Sequence, residues 1–320
     1  MVKDIICFTP KGRAIIDKLN NEAQLHGIAP ANVFECFGAA SGTLDKFVKS
    51  GFAENHALIF VGATGIAVRA VSPYVADKMS DSPVVVIDDA GQFVIPILSG
   101  HVGGANKLAI ILARLIGAIP VITTSTDVNG AFSVDVFAEE NHLTIKNREG
   151  IRKVSAKAIE GKPVTISIKD YPPKDKVDIT IADETDAEYT LLLSPKKYTI
   201  GIGLKKDRDP DDVEKFIFDT LNVNNINICD VYAVCTIDIK QDEPAIVRFC
   251  SKYRIPLITF EAPVLARCEG DFTSSEFVKE TVGVDNVCER AALLGAGSGG
   301  SIYMKRQAYE GMTVAIAKRR

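Results

Sequence analysis

The amino-acid sequence predicts an α/β protein in three parts. An N-terminal, mainly parallel α/β sheet domain occupies residues 1–131, a small middle module 132–197, and a C-terminal α/β domain 198–320. Three observations carry this. Short, continuous apolar runs such as Ala57–Val61 and Val84–Ile87 fit strands buried on both faces. Between them, apolar residues recur at helical spacing, and that alternation is the mark of crossover helices on a parallel sheet. The length of 320 residues, with 47% hydrophobic and 24% charged side chains, exceeds one typical domain and can bury more than one core.

In order, residues 2–8 read as a strand and 12–25 as a helix, with Ala14, Ile15, Leu19 and Ala23 on one face. Residues 33–37 and 57–61 read as strands on either side of a helix at 44–50. Gly62-Ala63-Thr64-Gly65 interrupts before a helix at 66–71, and Val84-Val85-Val86-Ile87 is a further buried strand. Asp88-Asp89-Ala90-Gly91 carries a hairpin signal, so turn chemistry competes with a site role for both aspartates. Residues 92–98 form the next strand, 107–115 a helix, and 119–123 another buried strand. The middle module reads as polar helix, a strand at 164–168 and loops, with nothing that signals chemistry. A second α/β series begins at Tyr198–Leu204, with Asp209-Pro210 marking the start of a helix. It continues through strands at 231–237 and 257–260, an apolar helix at 287–294 and two closing strands.

The centre of the N-terminal domain is Leu98-Ser99-Gly100-His101-Val102-Gly103-Gly104-Ala105-Asn106, where a strand feeds a glycine loop and then a helix. Such a junction leaves backbone N–H groups unpaired beside the positive end of the helix dipole, which favours anions. His101 stands in that loop, and Thr123-Thr124-Ser125-Thr126-Asp127 supplies four hydroxyls and a carboxylate at another strand end. That run suits a helix cap or a polar pocket. If the strands before Gly62, Ser99 and Thr124 are parallel, all three junctions open on one sheet edge and share a pocket with Asp88 and Asp89.

Several classes are excluded. A net charge of -4, no Trp and 7% aromatics do not suit nucleic acid as a partner. The seven cysteines include no C-x-x-C pair and read as small hydrophobes rather than zinc ligands. No apolar run approaches the ~18 residues of a membrane span and no signal peptide is evident, so a cytoplasmic protein is expected. Gly295-Ala296-Gly297-Ser298-Gly299-Gly300 fits G-x-G-x-x-G, but a helix precedes it and a strand follows, the reverse of a dinucleotide site. P-loop, H-E-x-x-H and G-x-S-x-G patterns are absent.

The ordered runs Val61-Gly62-Ala63-Thr64-Gly65-Ile66-Ala67-Val68-Arg69, Asp77-Lys78, Ile87-Asp88-Asp89-Ala90-Gly91, Leu98 to Asn106 and Val121 to Asp127 closely resemble the cobalt-precorrin-5A hydrolase family (CbiG) of anaerobic cobalamin biosynthesis. Gly201-Ile202-Gly203 and Arg290-Ala291-Ala292-Leu293-Leu294 resemble that family's C-terminal domain. One departure is Leu204-Lys205-Lys206-Asp207, where the family usually continues with Cys and basic residues. The resemblance implies a cobalt-bound macrocycle as substrate, cobalt-precorrin-5A, whose lactone is opened by water with loss of C20 as acetaldehyde. It implies no cofactor, because the cobalt arrives with the substrate, and contact with other cobalamin-pathway enzymes. On this reading His101 is the general base, oriented by Asp88 or Asp89, with Asp127 nearby. N–H groups around Gly103 to Ala105 are the oxyanion donors. Gly62, Thr64, Gly65, Arg69, Ser99, Gly100, Gly103, Gly104, Asn106, Thr123 and Thr124 bind substrate, and Lys78 and Lys107 are further candidates for its carboxylates. A corrinoid carrier and a binder of phosphorylated metabolites are the competing classes.

Overall fold

A computed structural model describes residues 3–25, 31–37, 42–77, 80–168 and 176–320. The chain forms two compact units. The first comprises residues 1–141, 145–181 and 185–192, and the second 142–144, 182–184 and 193–320. Among the described residues no helix is long and apolar enough to cross a membrane.

The first unit is built on β1 (Lys3–Cys7), α1 (Pro10–Leu25), β2 (Asn32–Glu35), α2 (Thr43–Ala53), β3 (Ala57–Val61), α3 (Thr64–Val71), β4 (Val84–Ile87), β5 (Phe93–Leu98), α4 (Ala105–Ile116) and β6 (Ile119–Pro120). The strands form one sheet ordered β2-β1-β3-β4-β5-β6. Side chains alternate between its faces as strand geometry requires. Ile5, Cys7, Ile59, Val61, Val85 and Ile87 pack with α1 and α4 on one side. On the other, Ile6, Leu58, Phe60, Val84 and Val86 meet Val48 of α2 and Ala67 and Val71 of α3. Burial on both faces explains why these strands read as unbroken apolar runs.

The strands β2, β1, β3 and β4 are parallel, as the sequence predicts. From there the direction changes. β5 runs antiparallel to β4, with Val84 opposite Leu98 and Ile87 opposite Val94. The cause is the Asp88 turn. Its carboxylate accepts N–H bonds from Ala90 at 3.2 Å, Gln92 at 2.7 Å and Phe93 at 2.6 Å, closing a tight reversal. β6 is parallel to β5. It is also shorter and more exposed than expected, with Ile119 60% exposed at the sheet margin.

After α5 (Ser125–Val128), the region 132–197 contains α6 (Val134–Glu140), β7 (Leu143–Ile145), α7 (Glu149–Ile159), β8 (Ile166–Ile168), β9 (Val177–Ile181) and β10 (Tyr189–Pro195). These strands form a sheet ordered β7-β10-β9-β8, in which β9 and β10 replace what reads in the sequence as loop and connection.

The second unit holds β11 (Tyr198–Leu204), α8 (Pro210–Val223), β12 (Val231–Ile237), α9 (Pro244–Lys252), β13 (Leu257–Phe260), α10 (Ala262–Arg267), α11 (Glu276–Val282), α12 (Cys288–Ala296), β14 (Ser301–Tyr309) and β15 (Met312–Lys318). Its sheet is ordered β13-β12-β11-β15-β14, with β11, β12 and β13 parallel and the last two strands antiparallel. Asp209 caps α8 by accepting the Asp211 N–H at 2.8 Å. Gly201 is a packing residue, because a Cβ there would lie 1.8 Å from the Cys288 carbonyl oxygen of α12. The loop after α12 closes on itself through Gly297 N–H to Leu294 and Gly300 N–H to Gly297. Those glycines end a helix, in keeping with the rejection of a dinucleotide site.

Candidate functional site

The antiparallel β5 divides the sequence-predicted residues between two opposite edges of the sheet. Gly62 follows β3, and Asp88 and Asp89 follow β4, so these end on one edge. Thr64, Gly65 and Arg69 belong to α3, which starts there. Ser99 follows β5 and therefore lies at the other edge, beside the start of β4. A strand of this length spans roughly 15–20 Å. The single pocket expected to join Gly62, His101 and Asp127 does not form.

At the first edge the polar groups are occupied locally. Asp88 serves its turn, Asp89 accepts the Thr9 hydroxyl at 3.0 Å, and the Arg69 guanidinium folds back onto the Gly65 carbonyl at 3.3 Å. Neither aspartate orients His101. Lys78 lies outside the described residues, and Lys107 is exposed on the first turn of α4.

At the second edge, side chains converge on one imidazole. His101 Nε2 lies 2.9 Å from Asp127 Oδ2 and 3.0 Å from Thr126 Oγ1. Its Nδ1 faces Ser133 Oγ at 3.3 Å and Asp135 Oδ2 at 3.5 Å. The buried Asn106 donates from Nδ2 to Thr124 Oγ1 at 2.9 Å and to Asp127 Oδ2 at 2.8 Å. The Ser133 hydroxyl donates to Asp135, which also accepts the Val136 N–H. The side chains are graded in exposure: Asp135 9%, His101 15%, Asp127 42%. Asp127 is the most exposed of the three.

The loop that presents His101 is pinned from several directions. The Ser99 hydroxyl donates to the Asp81 carbonyl at 2.8 Å, with Ser99 itself at a φ of 54°. The Gly104, Ala105 and Asn106 N–H groups donate to the carbonyls of His101, Ser99 and Gly100. This corrects the expectation of an oxyanion hole at residues 103–105, since two of those amides are consumed in folding the loop. Gly103 is there for space: a Cβ would sit 2.3 Å from Ser99 Cβ and 2.6 Å from its carbonyl oxygen. Gly100 similarly leaves room for the Asn106 side chain, at 2.7 Å from its Oδ1. Thr124 joins through Asn106; Thr123 is exposed, and no contact draws it to the imidazole.

The electrostatics follow from this cage. The hydrogen bond to Asp135 is the largest influence on His101 and raises its pKa above the free imidazole value; burial opposes it, and Asp127 adds to the rise. Burial works to raise the Asp135 carboxyl, yet bonds from His101, Ser133 and the Val136 amide hold it well below the usual carboxylate range. The imidazole therefore holds a proton more tightly than a free one does, set between two carboxylates. A proton shared along His101–Asp127 can reach solvent through Asp127. Among the described residues no three His, Cys, Asp or Glu side chains are grouped to hold a metal ion.

Ser133, Asp135 and Thr126 are the members that sequence reading left out of its candidates. Asp135 lies 34 residues from His101 in a stretch without a motif, and Ser133-x-Asp135 reads as an ordinary helix start.

Residues 46–127 match the protein family described as Cobalamin synthesis G N-terminal, and residues 198–317 that described as Cobalamin synthesis G C-terminus. A Salmonella typhimurium protein named cobalt-precorrin-5A hydrolase is 32% identical over 319 residues, covering 91% of this chain and 90% of its own length. A Priestia megaterium protein of the same name is 30% identical over 309 residues, covering 87% and 82% respectively.

Proposed function

This chain belongs to the cobalamin synthesis G (CbiG) family, and from that premise we propose that it is itself a cobalt-precorrin-5A hydrolase acting in the cytoplasm. In the reaction, water adds to the lactone carbonyl carbon and the acyl C–O bond breaks, leaving a carboxylate on ring A and a hydroxyl on C20. That hydroxyl then loses its proton, its oxygen becomes a carbonyl, and the bond from C20 to the macrocycle breaks with the electron pair staying on the ring. C20 departs with its methyl group as acetaldehyde, and the contracted cobalt-precorrin-5B remains. Cobalt enters and leaves as part of the substrate, and the protein contributes acid–base groups only. The cysteine set supports a reducing compartment: all seven thiols are free, and burial pushes those of Cys235 and Cys250 up to about 12.

One observation carries the reading. The caged His101 hands its hydrogen bond to Asp127, the exposed carboxylate, while Asp135 secures the far ring nitrogen. Asp127 takes the proton of the attacking water and later that of the C20 hydroxyl, and His101 relays it. Asn106 fixes Asp127 in place. Incubation of the purified protein with cobalt-precorrin-5A is expected to release one acetaldehyde per macrocycle, measured with a coupled alcohol dehydrogenase. Binding of the macrocycle without acetaldehyde would identify a carrier instead.

A further inference from the structure

In the first unit, a cavity of about 590 Å³ opens between residues 129–132 and the segment from the end of α7 to β8. We propose that this cavity receives the apolar face of the tetrapyrrole, with Lys162 at its rim meeting one of the peripheral carboxylates; the proposal rests on the hydrolase reading above. The size falls within the range of small-molecule sites.

The first wall ties the cavity to the chemistry. Gly130 donates its N–H to the Asp127 carbonyl at 3.2 Å, and Ala131 to that of Thr126 at 2.8 Å. Just after Phe132 come Ser133 and Asp135, which face the other side of the His101 ring. The wall is thus the stretch of chain that connects the two halves of the imidazole's cage.

The second wall is apolar where a surface is normally polar. Ile159 is 43% exposed and Ile166 45%. On β8, an edge strand, the usual alternation is inverted: Ile166 and Ile168 face outward, while Ser167 is buried against the Thr180 hydroxyl at 3.3 Å. Edge strands are ordinarily protected by polar or charged residues, and outward isoleucines beside a cavity mark a surface meant to be covered. Lys162 is exposed and pairs with the exposed Glu160 at 2.7 Å. Such a pair contributes little, so a ligand carboxylate can replace Glu160 at small cost. An apolar wall with a cation at its rim suits a flat ring edged with acetates and propionates.

Two variants test this, both on exposed side chains: Ile166→Asp and Lys162→Glu. The readouts are KM for acetaldehyde release and the Kd of cobalt(III) uroporphyrin, an octacarboxylate tetrapyrrole, by absorbance titration. Ile166→Asp is expected to raise both constants at least tenfold and Lys162→Glu severalfold, with a weaker salt dependence for the latter. Values within twofold of the parent for both variants overturn the proposal while leaving the hydrolase reading intact. If Ile166→Asp lowers the melting temperature, Lys162→Glu alone decides. A parent protein that releases no acetaldehyde sinks the hydrolase reading. The cavity is then judged on the porphyrin, and absent or variant-insensitive binding rejects it.

Discussion

The two edges of the six-stranded sheet each carry a glycine turn leading into a helix, at Gly62 and at Gly100–Gly104, and each gathers aspartates and hydroxyls. By strand order, the first edge has the better claim to a ligand. Its crossovers diverge between β1 and β3, and α/β sheets bind ligands outside the carboxyl ends of strands at such a point. Yet there the polar side chains are spent: Asp88 on three amides of its own turn, Asp89 on Thr9, Arg69 on its own helix. At the second edge the glycines and amides are spent on loop closure, while His101 sits between the carboxylates of Asp127 and Asp135. The difference teaches that a glycine turn by itself is a folding device. What marks a site is a titratable group whose partners are other titratable groups, one of them reaching solvent.

The largest expected effect sets the edges against each other. His101→Ala removes the hub of the cage and is expected to lower kcat for acetaldehyde release by about 10²–10⁴-fold, the usual worth of acid–base catalysis. Arg69→Ala is expected to leave kcat/KM within about twofold, because its guanidinium folds back onto the Gly65 carbonyl of its own helix on the far edge. Circular dichroism checks that both variants fold. A collapse of activity in Arg69→Ala alone would move the site to the switch-point edge.

How much of this was written in the sequence depends on the range of the interactions. Ala57–Val61 and Val84–Ile87 are recognised to the residue, because burial on both faces demands unbroken apolar runs and Gly62 or Asp88 stops them, and Tyr198–Leu204 and Val231–Ile237 are recognised equally although Thr and Gly stand among their apolar residues. His101 and Asp127 stand out for the same local reason, as polar residues at strand ends. The direction of β5 is legible in the Asp-Asp-Ala-Gly hairpin signal, which conflicts with the parallel arrangement that a single shared pocket requires. The strand β10, with Leu191 and Leu193 fully buried, reads as a connection because one of its two sheet neighbours, β7, lies far back in the sequence, and the other, β9, stands in a stretch that itself reads as loop. Asp135 is hardest of all. Its significance is a contact 34 residues distant, and no local pattern encodes that.

A second comparison, smaller in size, uses the glycines. Gly103→Ala forces a methyl to 2.3 Å from Ser99 Cβ and 2.6 Å from a backbone oxygen. It is expected to destabilise the first unit by about 1–3 kcal/mol, as overpacking does, and to lower activity through the displaced His101 loop. Gly65→Ala meets nothing nearer than the Arg69 guanidinium at 3.6 Å and sits within α3. It is expected to be neutral or to stabilise by about 0.5–1 kcal/mol. Urea unfolding measures both, and equal costs at the two turns would erase the contrast.

The smallest and most discriminating effect is in pH dependence. His101 keeps its proton to higher pH than a free imidazole, chiefly through Asp135. Asp135→Asn removes that influence, so the kcat/KM limb governed by His101 is expected to move to lower pH. Stability follows with a defined sign. A raised His101 value stabilises the fold below the unfolded value of 6.5, and that contribution is lost as pH rises through the folded value. The depressed Asp135 carboxyl stabilises above its unfolded value of 3.8, and that contribution is lost as pH falls toward the folded value. Asp135→Asn is therefore expected to flatten the stability profile on both sides. Asp88→Asn, on the opposite edge, is expected to leave the activity limb where it is, because the Asp88 carboxylate binds the backbone amides of its own turn. A limb that moves with Asp88 and not with Asp135 would mean that the titrating group sits at the other edge, and the cage around His101 would be a folding device as well.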